Sequence, residues 1–241
     1  KNNWPNYLIE AGALGIFMLS AVTFAGLLEL PGLPGRELIE SAFVRRWLMG
    51  VAMGSTAVCL IYSRLGKRSG AHINPAVTLT FLWLKKISPR DAAWYVIAQC
   101  IGGITAMLLY KWLFPNFIGA PEINYVQTQP GSAGVLAAFI SETIISFGLI
   151  LTVLYSSNFE KTAPYTGVFA GCLVMLYITF EAPISGMSMN PARSLASAVA
   201  AGHFGHFWIY LMAPPLGMLS AAQVWKVWIC KKATFKCSLA G

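Results

Sequence analysis

Apolar residues gather into long runs separated by short polar or Gly/Pro-containing breaks, over residues 7–30, 47–62, 92–113, 135–155, 165–180 and 207–229. Most approach the roughly 20 residues needed to span ~30 Å of hydrocarbon, and the two shorter ones can be extended by their flanks. Six transmembrane helices are therefore expected. Two further apolar pieces, 74–84 and 190–201, hold only 11 and 12 residues. At ~1.5 Å per residue each reaches about half way across, so both read as re-entrant half-helices.

The two short pieces open alike. The first is approached through Ser69-Gly70-Ala71-His72-Ile73 and begins Asn74-Pro75-Ala76-Val77-Thr78-Leu79; the second follows Ser185-Gly186-Met187-Ser188-Met189 and begins Asn190-Pro191-Ala192-Arg193-Ser194-Leu195. Each half of the chain thus contains three spans and one half-helix, with Glu10 and Glu142 near the start of the first span of their halves. Because three is odd, the second half enters from the opposite side, which relates the halves by a pseudo-two-fold axis in the membrane plane. The expected fold is an all-α membrane protein with six transmembrane helices and two re-entrant half-helices in an inverted 3+3 repeat. It reads as a single channel domain over 1–241: repeat one about 1–114, a Pro-, Gly-, Asn- and Gln-containing linker over 115–134, repeat two about 135–230 and a basic tail over 231–241. Gly12, Gly15, Gly102, Gly103, Gly167, Gly171 and Gly217 lie inside spans, where small residues let membrane helices approach closely.

Composition agrees, with 56% hydrophobic and 11% charged residues against the roughly 25% charged usage of soluble domains. The net charge of +8 is distributed as membrane topology requires, so no nucleic-acid partner is expected. With six spans and a cytoplasmic N-terminus, the inside holds Lys1, Arg64, Lys67, Arg68, Lys85, Lys86, Arg90, Lys161, Lys226, Lys231, Lys232 and Lys236, 12 of the 17 Lys and Arg residues. The outside keeps Arg36, Arg45, Arg46, Lys111 and Arg193. Both termini are therefore placed in the cytoplasm, with Arg45 and Arg46 against the trend, and the expected location is the plasma (cell inner) membrane. Cys59, Cys100 and Cys172 within spans read as buried thiols, and Cys230 and Cys237 fall in the basic tail. No metal spacing is present, and no cofactor is expected.

Asn is a strong N-cap and Pro is pre-shaped for the first helical position, so Asn-Pro-Ala starts a helix, here inside the membrane. Irregular backbone at that depth is tolerated where a watery cavity meets it. The carbonyls of Gly70, Ala71, His72, Gly186 and Ser188 would then present a ladder of acceptors to a dehydrating solute. Two helix N-termini at the centre, each worth about half a positive charge, would repel cations and hydrated protons. The Asn74 and Asn190 amides would hydrogen-bond and orient a passing oxygen. Arg193 reads as lining water near the outer mouth, the alternative being a buried ion pair. Glu10 and Glu142 read as buttresses accepting hydrogen bonds from loop N–H groups rather than as a proton relay. His72 would line the inner vestibule, His203 and His206 read as interfacial, and Glu181 has no assignable role.

These two segments resemble the signature loops of the aquaporin, or major intrinsic protein, family, and the resemblance covers nearly the whole chain. It implies an aquaporin-like fold with one pore per subunit and a homotetramer in the lipid bilayer. It also implies that Asn74, Pro75, Ala76, Asn190, Pro191 and Ala192 meet mid-pore, and that Arg193 belongs to an outer selectivity constriction. Counting from the motifs, the other constriction positions fall on Met53, Ile178 and Met187, with Gly54 replacing Met53 if 64–68 carries an extra residue. This set departs from strict water channels, which usually have an aromatic residue and a His there, and from glycerol channels, which usually have two aromatics. Ser194 resembles the water-channel branch. Tyr210-Leu211 resembles the plant nodulin-type channels and their bacterial relatives.

A passive channel for water and small neutral solutes such as glycerol or urea, excluding ions and protons, is the first reading. A coupled small-solute transporter, or a closed-pore junctional membrane protein, is the alternative. An enzyme is not expected, because no nucleophile, base and orienting group converge on one motif.

Overall fold

The computed structural model describes residues 3–229, so Lys1, the basic tail, Cys230 and Cys237 lie outside the described residues. Every regular element described is helical. Six long helices, α1 (Trp4–Glu29), α2 (Ala42–Tyr62), α4 (Pro89–Leu113), α5 (Gly134–Ser157), α6 (Thr166–Phe180) and α8 (Phe207–Val224), are joined by two half-helices, α3 (Pro75–Trp83) and α7 (Pro191–Ala201).

Local capping moves several ends away from the edges of the apolar runs. Helix α2 begins five residues before its run because Ser41 Oγ accepts from Val44 N at 3.4 Å, and α4 begins at Pro89 because Ser88 Oγ accepts from Asp91 N at 3.1 Å. Charged residues in these first turns, Arg45 and Arg46 in α2 and Arg90 and Asp91 in α4, interrupt the apolar run without ending the helix. The last run does not remain α-helical to its end, since Trp225–Ile229 forms a π-helical stretch. Single-turn helices absent from the apolar pattern, Arg64–Ser69 and Ala182–Ser185, lead into the repeated motifs and end at Gly70 (φ 90°) and Gly186 (φ 82°). Glycine fits these left-handed helix caps because it carries no Cβ.

Helix α1 packs along α4, α5 along α8, and α2 against α6; each half-helix lies on the last long helix of the other half, α7 on α4 and α3 on α8. An inverted repeat produces this crossed pairing, because each half-helix reaches the centre and must be enclosed by the other half. Lipid competes well for apolar side chains, so close backbone contact has to supply the association. A Cβ on Gly102 would run into the carbonyl of Ala11, one on Gly217 into the carbonyl of Thr143, and one on Gly54 would lie 2.5 Å from the carbonyl oxygen of Gly171. Gly217→Ala should therefore cost about 1–3 kcal/mol, read as a lowered unfolding midpoint in detergent. Gly12→Ala, with nothing within 4 Å of the added atom, is the neutral control; equal midpoints would show that the α5–α8 crossing is not tight.

The outer surface is that of an integral membrane protein. Exposed Leu8, Ile16, Ile101 and Ile144 face outward, with exposed Trp4, Trp83 and Trp94 towards the termini and Trp47, Trp112 and Trp208 towards the other side, as interfacial aromatics are placed. Cys59 and Cys172 are exposed rather than buried. An apolar thiol gains nothing by avoiding lipid.

Candidate functional site

The two motif loops are built by the same hydrogen bonds, taken by equivalent residues in each half. Glu10 is fully buried, and its Oε1 accepts from Ser69 Oγ at 2.8 Å and His72 N at 3.0 Å while Oε2 accepts from Ile73 N at 2.6 Å. Glu142, equally buried, takes Ser185 Oγ at 2.8 Å and Ser188 N at 2.6 Å on Oε1 and Met189 N at 2.8 Å on Oε2. Ser69 Oγ and Ser185 Oγ in turn accept from Ala71 N and Met187 N at 3.1 and 3.0 Å. Three consecutive N–H groups in each loop are thus drawn to one side. Because N–H and C=O point oppositely across a planar trans peptide, the carbonyls of Gly70, Ala71 and His72, and of Gly186, Met187 and Ser188, face the other way. Left-handed backbone at Ala71 and Ile73 (φ 47° and 52°) and at Met187 and Met189 (φ 49° and 51°) makes this alternation possible.

Each loop ends in an Asn that caps its half-helix and ties it to the opposite half. Asn74 Oδ1 accepts from Ala76 N at 2.8 Å, and Asn190 Oδ1 accepts from Ala192 N and Arg193 N at 3.1 and 3.2 Å. Asn74 Nδ2 donates to Met189 O at 2.6 Å, and Asn190 Nδ2 donates to Ile73 O at 2.8 Å. An amide nitrogen has two hydrogens, so one on each Asn remains for another acceptor. Pro75, Ala76, Pro191 and Ala192 are buried behind them.

Several supporting residues carry no motif signal. Tyr95 OH donates to Ser69 O and Tyr210 OH to Ser185 O, at separations of 26 and 25 residues; that near-equal spacing from equivalent serines is the signal that could have found them. Gln99 Nε2 bridges Glu10 Oε2 at 2.8 Å and Thr78 Oγ1 at 3.2 Å. Thr78 Oγ1 donates to Asn74 O at 3.0 Å and lies 3.1 Å from His72 Nδ1. With its one proton so used, Thr78 accepts from Nδ1–H, and neutral His72 keeps Nε2 as an acceptor. In the second half, hydroxyls alone form the chain: Ser188 Oγ to Ser194 Oγ at 2.6 Å and on to Thr128 Oγ1 at 2.7 Å.

A cavity of about 710 Å³ runs past both loops, lined by Gly70, Ala71, His72, Asn74, Gly186, Ser188 and Asn190, and also by Met53, Ile178, Met187 and Arg193. Of the two span-two candidates, Met53 lines it, whereas Gly54 is held against Gly171 of α6. Arg193 has no carboxyl partner within ion-pair distance among the described residues, and its Nη1 is buried without a hydrogen bond. Glu181, buried at the C-cap of α6, is not part of the lining. His203 and His206 are exposed.

The sequence profile of the family Major intrinsic protein matches residues 10–225. Aquaporin NIP3-1 of Zea mays is 34% identical over 176 residues, 73% of this chain and 57% of that protein. Aquaporin NIP1-1 of Arabidopsis thaliana is 35% identical over 184 residues, 74% and 62%, so this chain spans less than two thirds of these plant relatives. Glycerol uptake facilitator protein-like 6 of Lactiplantibacillus plantarum is 34% identical over 177 residues, 72% of this chain and 81% of that protein. Among solved structures, the aquaglyceroporin from Plasmodium falciparum shares the fold with a TM-score of 0.78 at 20% identity, covering 95% of this chain and 98% of that one. With the profile spanning both half-helix motifs and five of the six long helices in full, the chain belongs to the major intrinsic protein family.

Proposed function

We propose that the protein is a passive channel for water and small neutral solutes that excludes ions and protons. The observation that carries this is the pair of opposed half-helices, each capped by an Asn whose side chain is bonded to the other half and whose second amide hydrogen is unspent. Asn74 and Asn190 orient a passing oxygen where two positive helix ends meet, while carbonyls of the two loops replace its lost water neighbours. Glu10 and Glu142 hold the loops that present those carbonyls. Met53, Ile178, Met187 and Arg193 form the solute constriction: one strong donor and three apolar or flexible walls. The names of the relatives support a range that includes glycerol. The protein works as a homotetramer in the plasma membrane with both termini in the cytoplasm, an orientation supported by the bias of Lys and Arg. It is a channel and not an enzyme.

Stopped-flow light scattering on proteoliposomes tests this directly. Water should cross well above the lipid control with no proton leak; verified insertion without added water permeability would defeat the proposal. Selectivity is tested by two substitutions side by side. Met187→Ala should raise glycerol flux roughly threefold to tenfold and Ile178→His should depress it by a similar factor while water continues. Glycerol flux unmoved by either would remove these residues from the gate.

A further inference from the structure

Arg45 and Arg46 run against the charge bias of the chain, and although adjacent they have different fates. Arg45, only 3% exposed, is held at both Nε and Nη1: its Nε donates to Glu29 Oε2 at 3.0 Å and its Nη1 to the carbonyls of Ile39 and Glu40 at 2.6 and 2.8 Å. Arg46 sits about 100° further round α2 and lines the cavity. Its Nε donates at 2.8 Å to the carbonyl of Thr179, the residue after Ile178. Its guanidinium carbon stands 5.8 Å from the centre of the Phe43 ring, which itself packs 5.8 Å from Phe180. The guanidinium is therefore held from two sides, while no described residue accepts from its Nη groups. Glu29, the one acidic residue among the described cavity lining, is already paired with Arg45 and, at 3.8 Å, with Arg36.

We propose that Arg46 is a second selectivity determinant, a fixed donor fork in the vestibule away from the termini that receives neutral solutes bearing carbonyl or hydroxyl oxygens and turns cations back. It lies in the first turns of α2, ahead of Arg193, which begins its half-helix near the midplane. A planar guanidinium offers two parallel N–H groups to a carbonyl or a pair of hydroxyls, a geometry that an ammonium lacks. A polyol or urea entering the apolar constriction loses several water neighbours at once and gains most from such a fork. Water has less to lose. With Glu29 paired, no other acidic residue among the described cavity lining offsets the positive charge, which acts over roughly 10 Å at moderate salt.

This inference rests on the channel reading, and the experiment separates the two. Purified parent, Arg46→Gln and Arg46→Lys are reconstituted, and water, glycerol, urea and potassium permeabilities are measured on the same vesicles. Arg46→Gln should lower the glycerol-to-water and urea-to-water ratios about fivefold to tenfold and raise potassium leak. Arg46→Lys should keep potassium out but recover only part of the solute ratios. Ratios unchanged in both variants would overturn the proposal, and so would water and solute falling in proportion, which marks a residue that only holds α2 to α6. A parent that passes water but no glycerol or urea also overturns it, whereas a parent that passes no water defeats the channel reading itself. If Arg46→Gln cannot be inserted, Arg46→Lys carries the test of the ratios alone.

Discussion

Glu142→Ala is expected to lower the unfolding midpoint in detergent steeply and to bring water permeability down to the lipid background. The substitution removes the acceptor of three donors at once, Ser185 Oγ, Ser188 N and Met189 N, all within a buried loop. Each orphaned buried donor costs about 1–3 kcal/mol. With partial relaxation the sum is about 3–5 kcal/mol, a large part of the 5–15 kcal/mol that holds a typical domain together. Function should suffer beyond stability, because the N–H groups of Ser188 and Met189 that turn towards Glu142 are what turn the Met187 and Ser188 carbonyls towards the cavity, and Ser185, itself held by Glu142, does the same for the Gly186 carbonyl through Met187 N. Glu142→Gln keeps one acceptor oxygen but sets an amide donor against loop donors, so it should fall between parent and alanine variant. Thermal unfolding and osmotic shrinkage measured together check this. A Glu142→Ala protein with parental midpoint and flux would remove the carboxyl from the architecture of the loop.

The second large effect is expected at Asn190. Asp in its place keeps the cap oxygen that receives Ala192 N and Arg193 N but loses the amide donor to Ile73 O, leaving a carboxylate oxygen against a carbonyl 2.8 Å away. It also adds a full negative charge where two half-charges of positive sign converge. At about 5 Å and an effective dielectric constant of about 20 the added charge is worth roughly 3 kcal/mol to a cation, or a leak about 100-fold above the parent. Potassium flux under an imposed gradient, with water flux as the check of folding, gives the answer. An Asn190→Asp channel that still conducts water and leaks no more potassium than the parent would show that helix-end electrostatics are not what excludes ions.

The length of each apolar run set the number of spans and marked two segments as too short to cross, because bilayer thickness is a fixed ruler that a local sequence can be measured against. Asn-Pro started both half-helices where the sequence placed them, since capping acts over two or three residues and needs no distant partner. The repeated motif, together with an odd number of spans per half, was enough to require an inverted arrangement. Helix ends were less legible: Ser41 and Ser88 cap α2 and α4 ahead of the charged residues, Arg45 and Arg46 or Arg90 and Asp91, that break the apolar runs.

Tertiary structure alone decided which side each residue faces and what it touches. Asn74 reaches Met189 across 115 residues and Asn190 reaches Ile73 across 117, contacts that no local pattern encodes. Tyr95, Tyr210 and Gln99 lie within apolar spans and became part of the loop scaffold only when α4 and α8 were packed. Met53 and Gly54 could not be told apart from spacing, because one residue of helix is a rotation of about 100° and only the contact with Gly171 fixes its direction. The same rotation separates Arg45, buried against Glu29, from Arg46, turned to the cavity. Hydropathy and capping are properties of a segment and can be read from it. The facing of a helix within a bilayer, where lipid accepts any apolar surface, is set by its neighbours.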